Sequence, residues 1–383
     1  MRINRNDLVN AVEIAKKFAG STSLAVTNSV CISAKHEAVI GSDMTNFCLV
    51  PIEIKDATGS DDGCCINPKM LLDILKKSGD PEIELGLDFE THYVKPDEIG
   101  DTSISYREVS LAIGPYRGLH VQPPEDFPDV PEIGQTFTML DLDKPDVLKM
   151  WMPPGLYQEE KDTRAHTNAC YFDGPNNQMV STDGSCLYSV PLEILTDDQL
   201  LIEKATLKKV ALLAESVVLD HSYERWSRFS IKPRAKYGTD PITVYTRPFD
   251  SDFPTYHSLV DDLSRTDFVE VNTADLKRAL EQALVVRSKA YRGVIMTINE
   301  ENINFRSSNP DVGEFEKPDV KCDGRIPNEP FEIGVDAELL IHAIKTGVKN
   351  GKTCLGFGRG SDDAIHVNGG DETFKGIVMP MRV

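Results

Sequence analysis

At 383 residues, 40% of them apolar, the chain exceeds what one hydrophobic core normally holds, so two or three domains are expected. Its formal charge of −20 excludes a uniformly basic surface for nucleic acid, but leaves room for a localised basic face between acidic flanks. Its eight cysteines show no repeated metal-ligand spacing, no basic-then-apolar leader opens the chain, and no apolar run approaches a membrane span; these features predict a cytoplasmic protein with reduced thiols and no membrane partner.

The first element is a helix announced by "NRNDL" at 4–8, where Asn4 caps, Asp7 sits among the free first-turn amides, and Leu8, Ala11, Val12 and Ala15 recur at helical spacing. A strand-like run follows at 23–34, then the turn signal "GSDM" at 41–44 and a second helix, "NPKMLLDILKKSG", at 67–79. Another strand pattern covers 103–114, and "EDFPDVPEIG" at 125–134 reads as the end of a domain.

The same order then repeats. "DKPDV" at 143–147 opens a weaker helix that Pro153-Pro154 should stop early, "STDG" marks a turn at 181–184, and "EKATLKKVALLAE" at 203–215 is the second helix. A strand at 242–249 precedes "SDFPTYHSLV" at 251–260, which resembles the segment at 125–134. The third pass has "NTADL" at 272–276, strands within 291–308, the turn "SSNP" at 307–310 and the helix "DAELLIHAIKTG" at 336–347. Leu71, Leu207 and Leu339 hold similar places in the three second helices. The chain is therefore read as a threefold structural repeat of α+β domains, 1–132, 133–265 and 266–383, each with two helices packed on one face of antiparallel sheet.

No motif for chemistry emerges. Gly351-Lys352-Thr353 is a near miss for a phosphate loop, because Thr346 stands where its first glycine is required, and no serine sits in a nucleophile-elbow setting. The acidic pairs Asp61-Asp62 and Asp362-Asp363, even with Cys64-Cys65 and His366 nearby, lack metal-ligand spacing. The expectation is a non-enzyme with no cofactor, no catalytic residues and no metal. Charge is unevenly spread: the helix-containing stretches are together net positive in a chain of −20, as a diffuse basic lining for a duplex would require.

The triplicated order, "STDG" at 181–184, "SNPDVGE" at 308–314 and the terminal "VMPMRV" at 378–383 resemble the beta sliding clamp of bacterial DNA polymerase III, over essentially the whole chain. The resemblance implies a head-to-tail homodimer, six similar domains closing into a ring around double-stranded DNA without sequence specificity, loaded by an ATP-driven clamp loader and tethering the replicative DNA polymerase. Under it, Lys69, Lys76, Lys77, Lys204, Lys208, Lys209, Lys277 and Arg278 are candidate lining residues for DNA, and the acidic stretch 309–316 is a candidate subunit contact. A partner-binding pocket between the second and third domains would be built from Thr167, Thr182, Asp183, Gly184, Ser185, Cys186 and Leu187 with Ile377, Met379, Pro380, Met381, Arg382 and Val383. Ser185 and Cys186 replace the His-Arg pair usual in the family, Thr167 replaces an apolar residue and Asp261 a proline, so an altered peptide preference is expected. The alternative is a clamp-like protein-interaction scaffold that does not encircle DNA.

Overall fold

The computed structural model describes every residue except 21–26, 58, 60–62, 95–103, 144–147, 149–163, 223–224, 262–267, 288–292, 300, 326–330, 350, 359, 371–372 and 383. The expected helix opening at 143–147 therefore lies outside the described residues, as does Val383. The chain divides into two compact units, one formed by Met1–Pro145 with Lys208–Pro248 and one by Asp146–Leu207 with Phe249–Val383. No helix among the described residues is long and apolar enough to cross a membrane.

In the first unit, the helix Arg5–Ala15 starts where Asn4 accepts hydrogen bonds from the Asn6 and Asp7 amides, and it buries Leu8, Ala11, Val12, Ile14 and Ala15. It approaches the strand Ala38–Ser42 so closely that a Cβ on Gly41 would lie 2.0 Å from the Ala15 carbonyl oxygen, which is why glycine stands there. The second helix, Pro68–Lys77, is capped by Asn67 and buries Leu71, Leu72, Ile74 and Leu75, each worth roughly 1.5–3 kcal/mol of transfer free energy. A five-stranded antiparallel sheet runs in the order Ile54–Lys55, Arg2–Asn4, Glu82–Val94, Ile104–Ile113, Tyr116–Val121. The long strand Glu82–Val94 was not expected from sequence, although Ile83, Leu85, Leu87 and Phe89 alternate with Glu84, Gly86 and Asp88 as a half-buried strand should.

The other sheet of this unit has eight strands, ordered Thr136–Leu142, Ala214–Ser222, Ser227–Pro233, Ile242–Thr246, Asn46–Pro51, Ala38–Ser42, Val30–Ser33, Gly63–Ile66. Its centre joins a strand of the first third to one of the second: Thr246 pairs with Asn46, Tyr245 with Phe47, Val244 with Cys48 and Thr243 with Leu49. The helix expected at 203–215 spans Lys204–Leu213, because Ala214 already enters a strand rich in β-branched residues.

The second unit repeats that junction. Its twelve-stranded sheet runs Gln199–Glu203, Ala169–Asp173, Gln178–Thr182, Cys186–Pro191, Lys375–Val378, Ile365–Asn368, Lys352–Gly356, Phe268–Asn272, Gly313–Gly324, Asn302–Asn309, Gly293–Ile298, Phe331–Asp336. Cys186 pairs with Val378, Leu187 with Ile377, Tyr188 with Gly376 and Ser189 with Lys375, the same arrangement one third later. The helices Thr273–Ala283 and Ala337–Gly347, capped by Asn272 and Asp336, pack on each other.

Backbone detail carries the same repeat. Gln122 donates its N–H to the Cys65 carbonyl (3.0 Å), Phe249 to that of Leu201 (2.9 Å) and Met381 to that of Gly334 (2.9 Å). Each acceptor lies in the strand that leads into a second helix. The apolar end of the chain is thus the third copy of a closing contact made by every third.

Candidate functional site

The turn "STDG" is built on Asp183, whose Oδ1 accepts the amides of Ser185 and Cys186, both at 2.9 Å, and the Cys186 thiol at 3.3 Å. The first-third turn repeats it, with Asp43 Oδ1 accepting from Thr45 (3.0 Å) and Asn46 (2.7 Å), and in the last third Asn309 Oδ1 accepts from Asp311 (3.0 Å). Gly184 adopts φ +91°, a conformation that favours glycine. Thr182 Oγ1 donates to the Cys186 carbonyl at 2.7 Å and accepts the Gly184 amide at 3.1 Å. Burial, reinforced by the Asp183 charge, pushes the Cys186 thiol far up from its ordinary value, so it stays a thiol.

Beneath this turn lies an ammonium. Lys204 is only 8% exposed, and its Nζ donates to the carbonyls of Thr167 (2.8 Å) and Thr182 (2.7 Å). This corrects the expectation for Lys204: it is an internal tie of the second unit and not a lining residue for DNA, because its charge is spent on two carbonyls. Thr167 is likewise fully buried in the short helix Ala165–Asn168, behind the surface it was expected to line.

A buried apolar cluster packs next to the turn. Val180, Leu187, Tyr256, Val260, Ala364 and Ile377 form one cluster, with Tyr171 and Phe253 packed against it. Tyr171 and Phe253 stack at 4.7 Å with planes 3° apart, and Tyr256 meets both edge-on. Tyr256 is held by its hydroxyl, which donates to the buried Asp173 carboxylate at 2.7 Å. The terminal strand completes the face: Ile377 and Val378 are buried, Met379 donates its amide to the Ser185 carbonyl at 2.9 Å and leaves its side chain 41% exposed, Pro380 and Met381 are half-buried, and Arg382 is exposed.

Sequence reading missed one charged neighbour of this surface. A Cβ on Gly184 would lie 3.5 Å from Nη1 of Arg164, so a guanidinium borders the turn although Ser185 and Cys186 bring none. Tyr171, Phe253 and Tyr256 were also missed; the similarity of 125–134 to 251–260 was their one signal.

The basic candidates separate by unit. Lys69, Lys76 and Lys77 are exposed on Pro68–Lys77, where Lys76 pairs with Glu13 at 3.1 Å and Lys77 lines a cavity of about 610 Å³ with Asp80, Glu82, Glu84 and Arg117. Lys208 is exposed, and Lys209 lies 5.0 Å from the centre of the Phe18 ring. In the second unit, Lys277 pairs with Glu281 at 3.7 Å and Arg278 with Asp275 at 3.4 Å. Lys16 and Lys17, not singled out in the sequence, stand beside Lys69 and Lys76 around a depression of about 550 Å³. Among the described residues, no group of three side chains suited to a metal ion comes together.

Helices backed by antiparallel sheets that continue across successive thirds define the sliding-clamp class of fold. Solved structures bear this out: the DnaN sliding clamp of Bartonella birtlesii, bound to griselimycin, is 19% identical with a TM-score of 0.77 and full coverage of both chains. The clamp of Bacillus subtilis is 18% identical with a TM-score of 0.76, covering 100% of this chain and 98% of that one. Residues 264–382 match the family of the DNA polymerase III beta subunit, C-terminal domain. The beta sliding clamp of Vibrio cholerae serotype O1 is 23% identical over 272 residues, 68% of this chain and 70% of the relative. Residues 264–382 thus match the C-terminal domain family of the DNA polymerase III beta subunit, and the whole chain shares the beta sliding clamp fold at low identity and high structural similarity.

Proposed function

We propose that this chain is a DNA sliding clamp and processivity factor: a cytoplasmic homodimer of three-domain subunits, bounded near 1–132, 133–265 and 266–383, that encircles duplex DNA and tethers the replicative polymerase. The reading is non-enzymatic; the work is topological. Partner peptides of the polymerase and of an ATP-driven loader would dock on the surface around Gly184, Leu187, Ile377, Met379 and Met381, with Arg164 supplying the charge that Ser185 and Cys186 lack. Burying two or three apolar peptide side chains there offers roughly 1.5–3 kcal/mol each before ordering costs.

The observation that carries the reading is a sheet junction made twice within the chain and left open a third time. Asn46–Pro51 is covered by Ile242–Thr246, and Cys186–Pro191 by Lys375–Val378. In the last third, Gly313–Gly324 pairs with Phe268–Asn272 only near its end, so among the described residues its opening stretch has a neighbour on one side alone. In the first third, Tyr116–Val121 ends its sheet. A head-to-tail second copy would cover both edges, and two copies would close the circuit. The charges suit this, with exposed Glu314 and Glu316 on one edge and exposed Arg117 and His120 on the other. Val285 (77% exposed) and Val312 (61%) supply apolar surface in the same third.

The test is retention. Protein loaded onto circular DNA should remain bound and then be lost when the circle is linearised; binding unchanged by linearisation would mean ordinary adhesion and defeat the proposal.

A further inference from the structure

The positive charge of the helices is not shared equally between the units. In the second unit every exposed cation of the two packed helices Thr273–Ala283 and Ala337–Gly347 has an acid beside it: Lys277 lies 3.7 Å and Lys345 3.6 Å from the same Glu281 oxygen, and Arg278 lies 3.4 Å from Asp275. These three cations therefore share two acids, Glu281 and Asp275, and keep a net of one positive charge between them. The first unit is different. Lys16, Lys17 and Lys69 have no ion-pair partner among the described residues, and they border one depression with Lys76, whose partner is Glu13. Asp73 is the one acid lining it. Leu72, 4% exposed, sits against the core beneath, so the lysines have a fixed base.

A second observation extends the stripe. Phe18 is fully buried directly after Lys17, and Lys209 reaches over its ring. The end of Arg5–Ala15 and the helix carrying Lys208 and Lys209 are therefore neighbours within this unit. Lys209, from the second third of the repeat, thus adds a cation next to the lysine-rich face of Lys16, Lys17 and Lys69.

We infer that the phosphodiester backbone of duplex DNA is contacted mainly through this face of the first unit, at Lys16, Lys17 and Lys69, while Lys277, Arg278 and Lys345, largely offset by Glu281 and Asp275, contribute less. The inference rests on the sliding-clamp reading and says which cations of the ring do the work. Lysine ammonium groups without bound acids suit it: each neutralises a phosphate as a mobile point charge, which permits sliding.

The test measures equilibrium binding of a fluorescent linear duplex, which can thread an assembled ring, at several salt concentrations. Wild type is compared with K16Q/K17Q/K69Q and with K277Q/R278Q/K345Q. Sedimentation equilibrium and melting temperature check that assembly and fold are unchanged. Each neutralised phosphate contributes about 0.9 to the slope of log affinity against log salt, so the first variant should lower the slope by up to about 2.7 per chain. The second should lower it by less, at most about 0.9 per chain. Equal losses, or a larger loss in the second variant, would overturn the inference while leaving the clamp reading intact. Absence of salt-dependent duplex binding by wild type would overturn both.

Discussion

Replacing Lys204 with methionine isolates the internal tie beneath the candidate docking surface. Methionine keeps the length and apolar character of the stem and deletes only the ammonium, so packing is largely conserved. What is lost are the hydrogen bonds to the Thr167 and Thr182 carbonyls, at 2.8 and 2.7 Å, in a site where the side chain is 8% exposed. Bonds from a charged donor contribute roughly 1.5–3 kcal/mol each, and the two carbonyls would be left without that partner in the interior, so a net loss of about 3–5 kcal/mol is expected. In a unit of this size each kcal/mol moves the midpoint by about 2–4 °C, which predicts a fall of roughly 6–20 °C in the melting transition of the second unit. Hydrogen exchange adds a local readout, because the amides around Thr167 and Thr182 should lose protection before those of the first unit. The salt slope of duplex binding should not move. A midpoint shift below about 2 °C, or a salt slope reduced as for a surface lysine, would refute the assignment of Lys204 as an internal tie.

Three other outcomes are expected. Tyr171 is pushed up to about 12 by burial, with the Asp173 charge adding to it, so the folded state holds this proton more tightly than the unfolded chain. Its contribution to stability is therefore complete below the ordinary tyrosine value near 10 and disappears as pH rises toward 12; a pH series of denaturation midpoints should fall across that window, and Y171F should flatten the fall. G41A places a Cβ 2.0 Å from the Ala15 carbonyl oxygen, and the backbone shift this forces should cost at least about 1–3 kcal/mol in urea unfolding. E314K/E316K reverses the exposed acidic edge of the last third, and sedimentation equilibrium should show a weaker dimer at low salt; undiminished association would remove that edge from the interface.

Much of the fold was legible because local chemistry repeats. Asn4 and Asn272 serve as the helix caps that the sequence suggests, Asn67 and Asp336 cap the second helices by the same chemistry, and Asp43, Asp183 and Asn309 each nucleate the turn that their neighbours signal. These devices act over two or three residues, which sequence displays directly. Facing is different. Lys204 is the first residue of its helix and turns inward, while Lys208 on the next turn is exposed, and composition does not separate the two. Arg164 reaches Gly184 across a strand hairpin, and Lys16 reaches Lys69 from another helix; both neighbourhoods depend on tertiary packing.

The two sheet junctions show why a repeated backbone need not carry a repeated function. Equivalent register positions hold Phe47 and Leu187, Tyr245 and Ile377, Cys31 and Tyr171. Beside them, Trp226 precedes the strand equivalent to the one that Ala364 precedes. At the first junction much of the bulk stands at the ladder, where Phe47 and Trp226 meet edge to face at 5.7 Å with Tyr245 against the same cluster, and Phe127 and Val130 join it from the segment at 125–134. At the second, the ladder contributes the smaller Leu187, Ile377 and Ala364, and the bulk moves to Tyr171 and to Phe253 and Tyr256 in a separate segment. That segment is held by polar contacts to Asp173, from the Tyr256 hydroxyl at 2.7 Å and His257 Nε2 at 3.6 Å, and not by a strand pairing among the described residues. A surface whose floor is a rigid ladder of small side chains, and whose aromatic wall is set independently, can change its specificity by substitutions in the wall without disturbing the sheet. At the first junction the separate segment likewise brings Phe127, but Phe47, Trp226 and Tyr245 keep aromatic bulk at the ladder too, so the two roles are less divided. The docking surface proposed above lies at the more divided junction, where Met379 is exposed beside the turn at Gly184.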